Sequence, residues 1–137
     1  MRLLARREHG AQELATKLAA KGYSAMDIQD ALQECQRLGF QSDSRFVDNV
    51  CRTRIRQGYG PIRIRQELNH LQVELELIDA MLQQEQDHWF AHALAVWKKK
   101  YKEQSELSYT ELQKQKQFLL YRGFSTDTIT QIFNHNH

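Results

Sequence analysis

The chain of 137 residues has one proline, Pro61, only six glycines and only two cysteines. So little Pro and Gly excludes collagen-like sequence and long low-complexity linkers. Cys35 and Cys51 form no Cys-x-x-Cys motif, so neither a zinc ribbon nor a redox pair is indicated. Both fall on apolar helical faces and are expected to be buried, unpaired thiols, since free Cys packs as a small hydrophobe. No apolar run approaches the roughly 18 residues needed to span a bilayer. The start, Met1-Arg2-Leu3-Leu4-Ala5-Arg6-Arg7, is basic, but its apolar stretch is too short for a signal peptide. A cytoplasmic protein without membrane contact is the expectation.

Catalytic patterns are missing as well. Gly58-Tyr59-Gly60-Pro61 lacks the Lys-Ser/Thr and the preceding strand of a phosphate loop. His88 and His92 stand at i,i+4, where two imidazoles share a helix face. Position 89 is Trp rather than the Glu of a zincin helix, and no third ligand is placed by spacing. Solvated or cap-like histidines are the simpler reading, and His135 and His137 at the end have only the loose metal affinity of any His-rich tail. No Ser-His-Asp or Cys-His arrangement stands out. The chain is therefore read as a binding protein, not an enzyme, with no cofactor and no metal.

What is present is a repeat. Leu18-x3-Gly22-Tyr23-Ser24-x3-Ile28-x3-Leu32 recurs as Leu68-x3-Gln72-Val73-Glu74-x3-Ile78-x3-Leu82 and as Leu119-x3-Gly123-Phe124-Ser125-x3-Ile129-x3-Phe133, about fifty residues apart. Units of this size stack into arrays that offer long surfaces to extended partners. Helical periodicity dominates, and no segment alternates with period two long enough for a strand. The fold class is all-α: three tandem three-helix repeats over residues 1–40, 41–85 and 86–137. Gly22 and Gly123 are expected just past helix ends at positive φ. Ser24, with Asp27 three residues on, and Ser125 are expected N-caps, as is Asp43 or Ser44. Pro61 suits the first position of a helix. One period before the second unit's first helix lies ahead of Met1, so the first repeat's leading helix is expected to be short, from about Leu3 to Glu8.

Charge is clustered although the net charge is only +2. Arg2, Arg6 and Arg7 open the chain. Arg52, Arg54, Arg56, Arg63 and Arg65 crowd the middle, and Lys98, Lys99, Lys100 and Lys102 form a third knot. Glu74, Glu76, Asp79, Glu85 and Asp87 lie between the last two groups. Arg52 and Arg56 share a helix face, and guanidinium groups grip phosphates or carboxylates in bidentate fashion. The bland alternative is a solvated face with internal pairs, such as Arg63 with Glu67. A basic cluster in every repeat favours binding, with Arg6, Arg7, Arg52, Arg54, Arg56, Arg63, Arg65, Lys98, Lys99, Lys100 and Lys102 as candidate contacts.

Arg6-Arg7-Glu8-His9 with Glu13-Leu14, Asp43-x-Arg45-Phe46, Gly60-Pro61-x-Arg63-Ile64-x-x-Glu67-Leu68 and Phe118-Leu119-Leu120-x-Arg122-Gly123-Phe124 resemble the signatures of the RecX regulatory proteins, over nearly the whole chain. The chain departs in having Gly10 where that family usually has Ser, and in having fewer residues ahead of Leu3. The resemblance implies a cytoplasmic modulator of the RecA recombinase built from three tandem three-helix repeats, and a monomer is expected. Such a protein would bind the RecA–DNA filament along its groove, with single-stranded and in some states double-stranded DNA inside it. It would reduce ATPase, strand-exchange and coprotease activity, and so act on DNA repair and the SOS response. The alternative is a homeodomain-like helical module that binds DNA directly.

Overall fold

The computed structural model describes residues 8–102 and 106–135. Repeat one contributes α1 (Ala11–Ala20) and α2 (Ala25–Arg37), and repeat two α3 (Asp43–Arg56), α4 (Pro61–His70) and α5 (Leu75–Gln84). A single 3₁₀ turn, Gln86–His88, leads into α6 (Trp89–Tyr101), α7 (Tyr109–Tyr121) and α8 (Thr126–His135) of repeat three. There is no strand among the described residues. The leading helix expected for repeat one falls, except for Glu8, outside the described residues.

Local chemistry sets the helix ends. The hydroxyls of Ser24, Ser108 and Ser125 accept the N–H of Asp27, Glu111 and Thr128 at 3.1, 3.2 and 3.2 Å, each satisfying one orphan donor of a first turn. Ser42, not Asp43 or Ser44, caps α3 by accepting the Arg45 N–H at 3.3 Å. Asp43 is the first helical residue, and its carboxylate is engaged elsewhere. Pro61 is at the first position of α4, where its missing N–H leaves no bond unmade. Gly22 and Gly123 both have φ of 96°. The following residues, Tyr23 and Phe124, donate back to Leu18 and Leu119 at 3.2 Å, which closes Schellman motifs. Repeat two makes the same motif through Gln72, a non-glycine at φ 59°.

Each complete repeat folds its first helix onto its third: α3 packs on α5 and α6 on α8. Ile64, Leu68, Val73 and Ile78 are buried with Val47 and Cys51 in repeat two, and Leu119, Phe124, Ile129, Ile132 and Phe133 with Ala93 and Trp97 in repeat three. The two sets form one continuous core running from Phe46 to Phe133. Cys35 and Cys51 are buried and form no disulfide, and burial, followed by the nearby Glu85 and Asp48 charges, pushes the Cys51 thiol up to about 11. One core position departs from the repeat. Gln115 stands where Leu14 and Ile64 stand in the other units, yet it is only 3 % exposed. Its carbonyl oxygen accepts the Trp97 indole N–H at 2.7 Å, so the polar pair is satisfied inside the core.

Two latches join the repeats, and they account for part of the signature. At the first, the Asp43 carboxylate accepts the Ala11 N–H at 2.8 Å and Gln41 donates to the His9 carbonyl at 3.2 Å. Arg45 pairs with Glu8 at 3.0 Å, and the Phe46 ring lies against Gly10. At the second, the N–H groups of Gly60 and Ile62 donate to the carbonyls of Arg122 and Gly123 at 2.7 and 2.9 Å. The donors that open α4 thus meet carbonyls that close α7, each orphan group satisfying the other. The approach is tight enough that a Cβ on Gly60 would sit 2.5 Å from the Gly123 oxygen, and one on Gly123 2.6 Å from Arg63.

Candidate polyanion-binding groove

The second latch brings basic residues from three helices to one cleft. Arg56 near the end of α3, Lys99 and Lys100 in the last turn of α6, and Arg122 just past α7 line a groove of about 410 Å³. Its floor is apolar, from Ile55, Ala95, Val96 and Phe118, and among the described residues no carboxylate is in its lining. Because α3 and α6 end at this groove, their C-terminal dipoles favour the cations placed there.

The cations are ordered by aromatic rings. Arg63 lies 4.2 Å from the centre of the Tyr59 ring, and Arg122 lies 5.2 Å from the same ring and 5.1 Å from Phe118. Lys100 stands 5.5 Å over Phe118, and Tyr101 meets Phe118 edge-on at 5.5 Å. Arg63, Tyr59, Arg122, Phe118 and Lys100 therefore alternate cation and ring across the boundary between repeats two and three. Each contact contributes about 0.5–1 kcal/mol at an exposed site. Arg122 is fixed further by donating to the Gln57 carbonyl at 3.1 Å.

The candidates read from sequence divide accordingly. Arg56, Arg63, Lys99 and Lys100 come together, joined by Arg122. Arg54 does not: it faces a different groove, where both oxygens of Glu67 accept from it at 2.7 and 2.8 Å. That bidentate bond holds the Arg54 guanidinium above its ordinary pKa and stands in place of the Arg63–Glu67 pair that the bland alternative offered. Arg52 is paired with Asp48 at 2.5 Å and Arg65 with Asp79 at 2.6 Å. Asp79, one of the acids that look displaced in sequence, thus reaches back in space to Arg65 of the arginine cluster. Lys98 and Lys102 are exposed outside the groove lining, and Arg6 and Arg7 lie outside the described residues. Arg122, Tyr59 and Phe118 were not among the sequence candidates. Arg122 and Phe118 sat within the quoted signature, which was the available signal.

His88 and His92 both turn toward Glu85, at 3.7 and 3.0 Å from its Oε2. No group of three His, Cys, Asp or Glu among the described residues is arranged to hold a metal ion. No described helix is long and apolar enough to cross a membrane.

Comparison with known proteins gives the lineage. Family models for the first, second and third three-helix domains of RecX match residues 1–35, 42–82 and 86–133. A "Regulatory protein RecX" of Legionella pneumophila (strain Corby) is 56% identical over 133 residues, covering 97% of this chain and 89% of the relative. One from Vibrio vulnificus (strain CMCP6) is 38% identical over 129 residues, covering 94% and 84%. The crystal structure of RecX from Lactobacillus salivarius superposes with a TM-score of 0.80 at 20% identity, over 98% of this chain and 89% of that one, a likeness of fold. The chain belongs to the RecX family of regulatory proteins.

Proposed function

We propose that this protein acts on the RecA–DNA filament in the cytoplasm, as a monomer without chemistry of its own, and lowers the filament's ATPase, strand-exchange and coprotease activity. Family membership supports a regulatory role. The observation that carries the contact surface is the groove itself: Arg56, Lys99, Lys100 and Arg122 converge with no carboxylate among the described lining residues, on a chain whose net charge is only +2. Such a local field steers a polyanion to one face. Arg63 extends the surface through Tyr59. Arg52 and Arg65 contribute less, because Asp48 and Asp79 offset them, although exposed pairs worth about 0–1 kcal/mol exchange readily.

The test is RecA ATPase on single-stranded DNA with the protein titrated in, comparing the parent with a Arg56→Ala, Lys99→Ala, Lys100→Ala variant. Inhibition by the parent and its loss in the variant, with helical content unchanged, is the expected result. If the groove meets phosphates, the parent's affinity falls with salt at about −0.7 in slope per contact on single strands, and the variant flattens that slope. If it meets RecA carboxylates, charge reversal on RecA rescues charge reversal here. Equal inhibition by a folded variant removes the groove from the contact surface. Tight, sequence-specific binding to naked duplex would instead support direct DNA recognition.

A further inference from the structure

The groove does not end at Phe118 and Lys100. Both residues also line a second cleft of about 560 Å³ that runs along α7 past Lys114 to Tyr109 and Tyr121. Among the described residues no carboxylate lines this cleft either; Glu111, on the same helix, is not part of it. Tyr109 is 78% exposed and Tyr121 71%, and Tyr101 closes the side nearest the groove. The two exposed rings stand at opposite ends of α7, about 18 Å apart at 1.5 Å per residue.

A single exposed tyrosine calls for no explanation. Here open rings stand beside lysines along one cleft with no carboxylate among its described lining residues, continuous with a groove in which cations and rings alternate. Phosphates need only the cations; the open ring faces match flat, unpaired bases. Stacking on aromatic side chains beside a basic track is how single strands are held without regard to sequence. In a duplex the base faces are covered by their neighbours, so this surface discriminates against it.

We propose that repeat three binds single-stranded nucleic acid along α7, with bases stacked on Tyr109 and Tyr121 and phosphates on Lys100 and Lys114. The proposal rests on the groove being the contact face and assigns the ligand of its extension. It is tested without the recombinase, so its failure is distinct from failure of the filament reading. Anisotropy of the full chain is measured with labelled oligothymidylate of about 15 nucleotides, a length suited to one such site, and with an abasic strand of equal phosphate count. One stacked base corresponds to a preference of about 5-fold or more for oligothymidylate. Tyr109→Ala with Tyr121→Ala should abolish that preference and leave abasic binding and the salt slope unchanged. Tyr109→Phe with Tyr121→Phe should keep the preference. Equal affinity of the parent for both strands, or no binding to either, overturns the proposal. So does an alanine variant that retains the preference. Displacement of oligothymidylate by polyglutamate at matched charge would identify an acidic peptide as the occupant and overturn it as well.

Discussion

Gln72 occupies, at φ 59°, the place held by glycine at φ 96° in the other two repeats. A side chain in the left-handed region costs roughly 1–2 kcal/mol, and Gln72 is exposed, so no packing is lost on removing it. Gln72→Gly should therefore stabilise the protein by about 1 kcal/mol, read as a raised urea midpoint at unchanged m-value. Inside the core, Gln115→Leu strands the Trp97 N–H and should cost about 1–3 kcal/mol. Adding Trp97→Phe removes the unpaired donor, so the double variant should be less destabilised than the sum of the two single changes. Additive losses in a double-mutant cycle would show that the 2.7 Å bond contributes nothing. Cys51, 0% exposed and with its thiol pushed up to about 11, should resist alkylation at pH 8 in the native protein. It should react fully in denaturant, because the thiolate is the nucleophile. Residue by residue, caps and C-terminal glycines were legible in the sequence because they act over a few neighbouring residues. Ser42 was missed because Asp43, the more obvious cap, is drawn to Ala11 across the first latch.

Among the elements, α4 and α7 depend on one another most directly. The opening N–H groups of one bond the closing carbonyls of the other, at a separation only glycine permits at Gly60. Gly60→Ala places a methyl against the backbone of Gly123, which has no flexible side chain to give way. The expected loss is about 1–3 kcal/mol, measured by chemical denaturation. Since the latch also positions Arg122 over Phe118, the same variant should weaken the proposed filament binding more than its stability loss explains. Helices themselves were readable from periodicity, but their mutual docking was not. Gly60 and Gly123 are far apart in the chain, and nothing local to either announces the other.

Across the whole molecule, repeats two and three share one core and carry the groove, while the described part of repeat one buries less at a matching position. Tyr23 is 55% exposed, whereas Val73 and Phe124 in the same slot are 7% and 0%. Repetition, helical class and the absence of a catalytic pattern were determined by the sequence alone, because spacing and capping act through the chain itself. The signature residues were visible there too, but their work was not: Asp43, Arg45, Gly60, Glu67 and Gly123 prove to be latch and ion-pair residues. Which cations act together was decided only by the tertiary structure. Arg54 is neighbour in sequence to Arg56, yet successive helix positions point about 100° apart, so two residues apart they face different clefts. Arg56 and Lys99 are distant in sequence, yet the ends of α3 and α6 meet at one groove. Charge acts through space, and folding sets those distances.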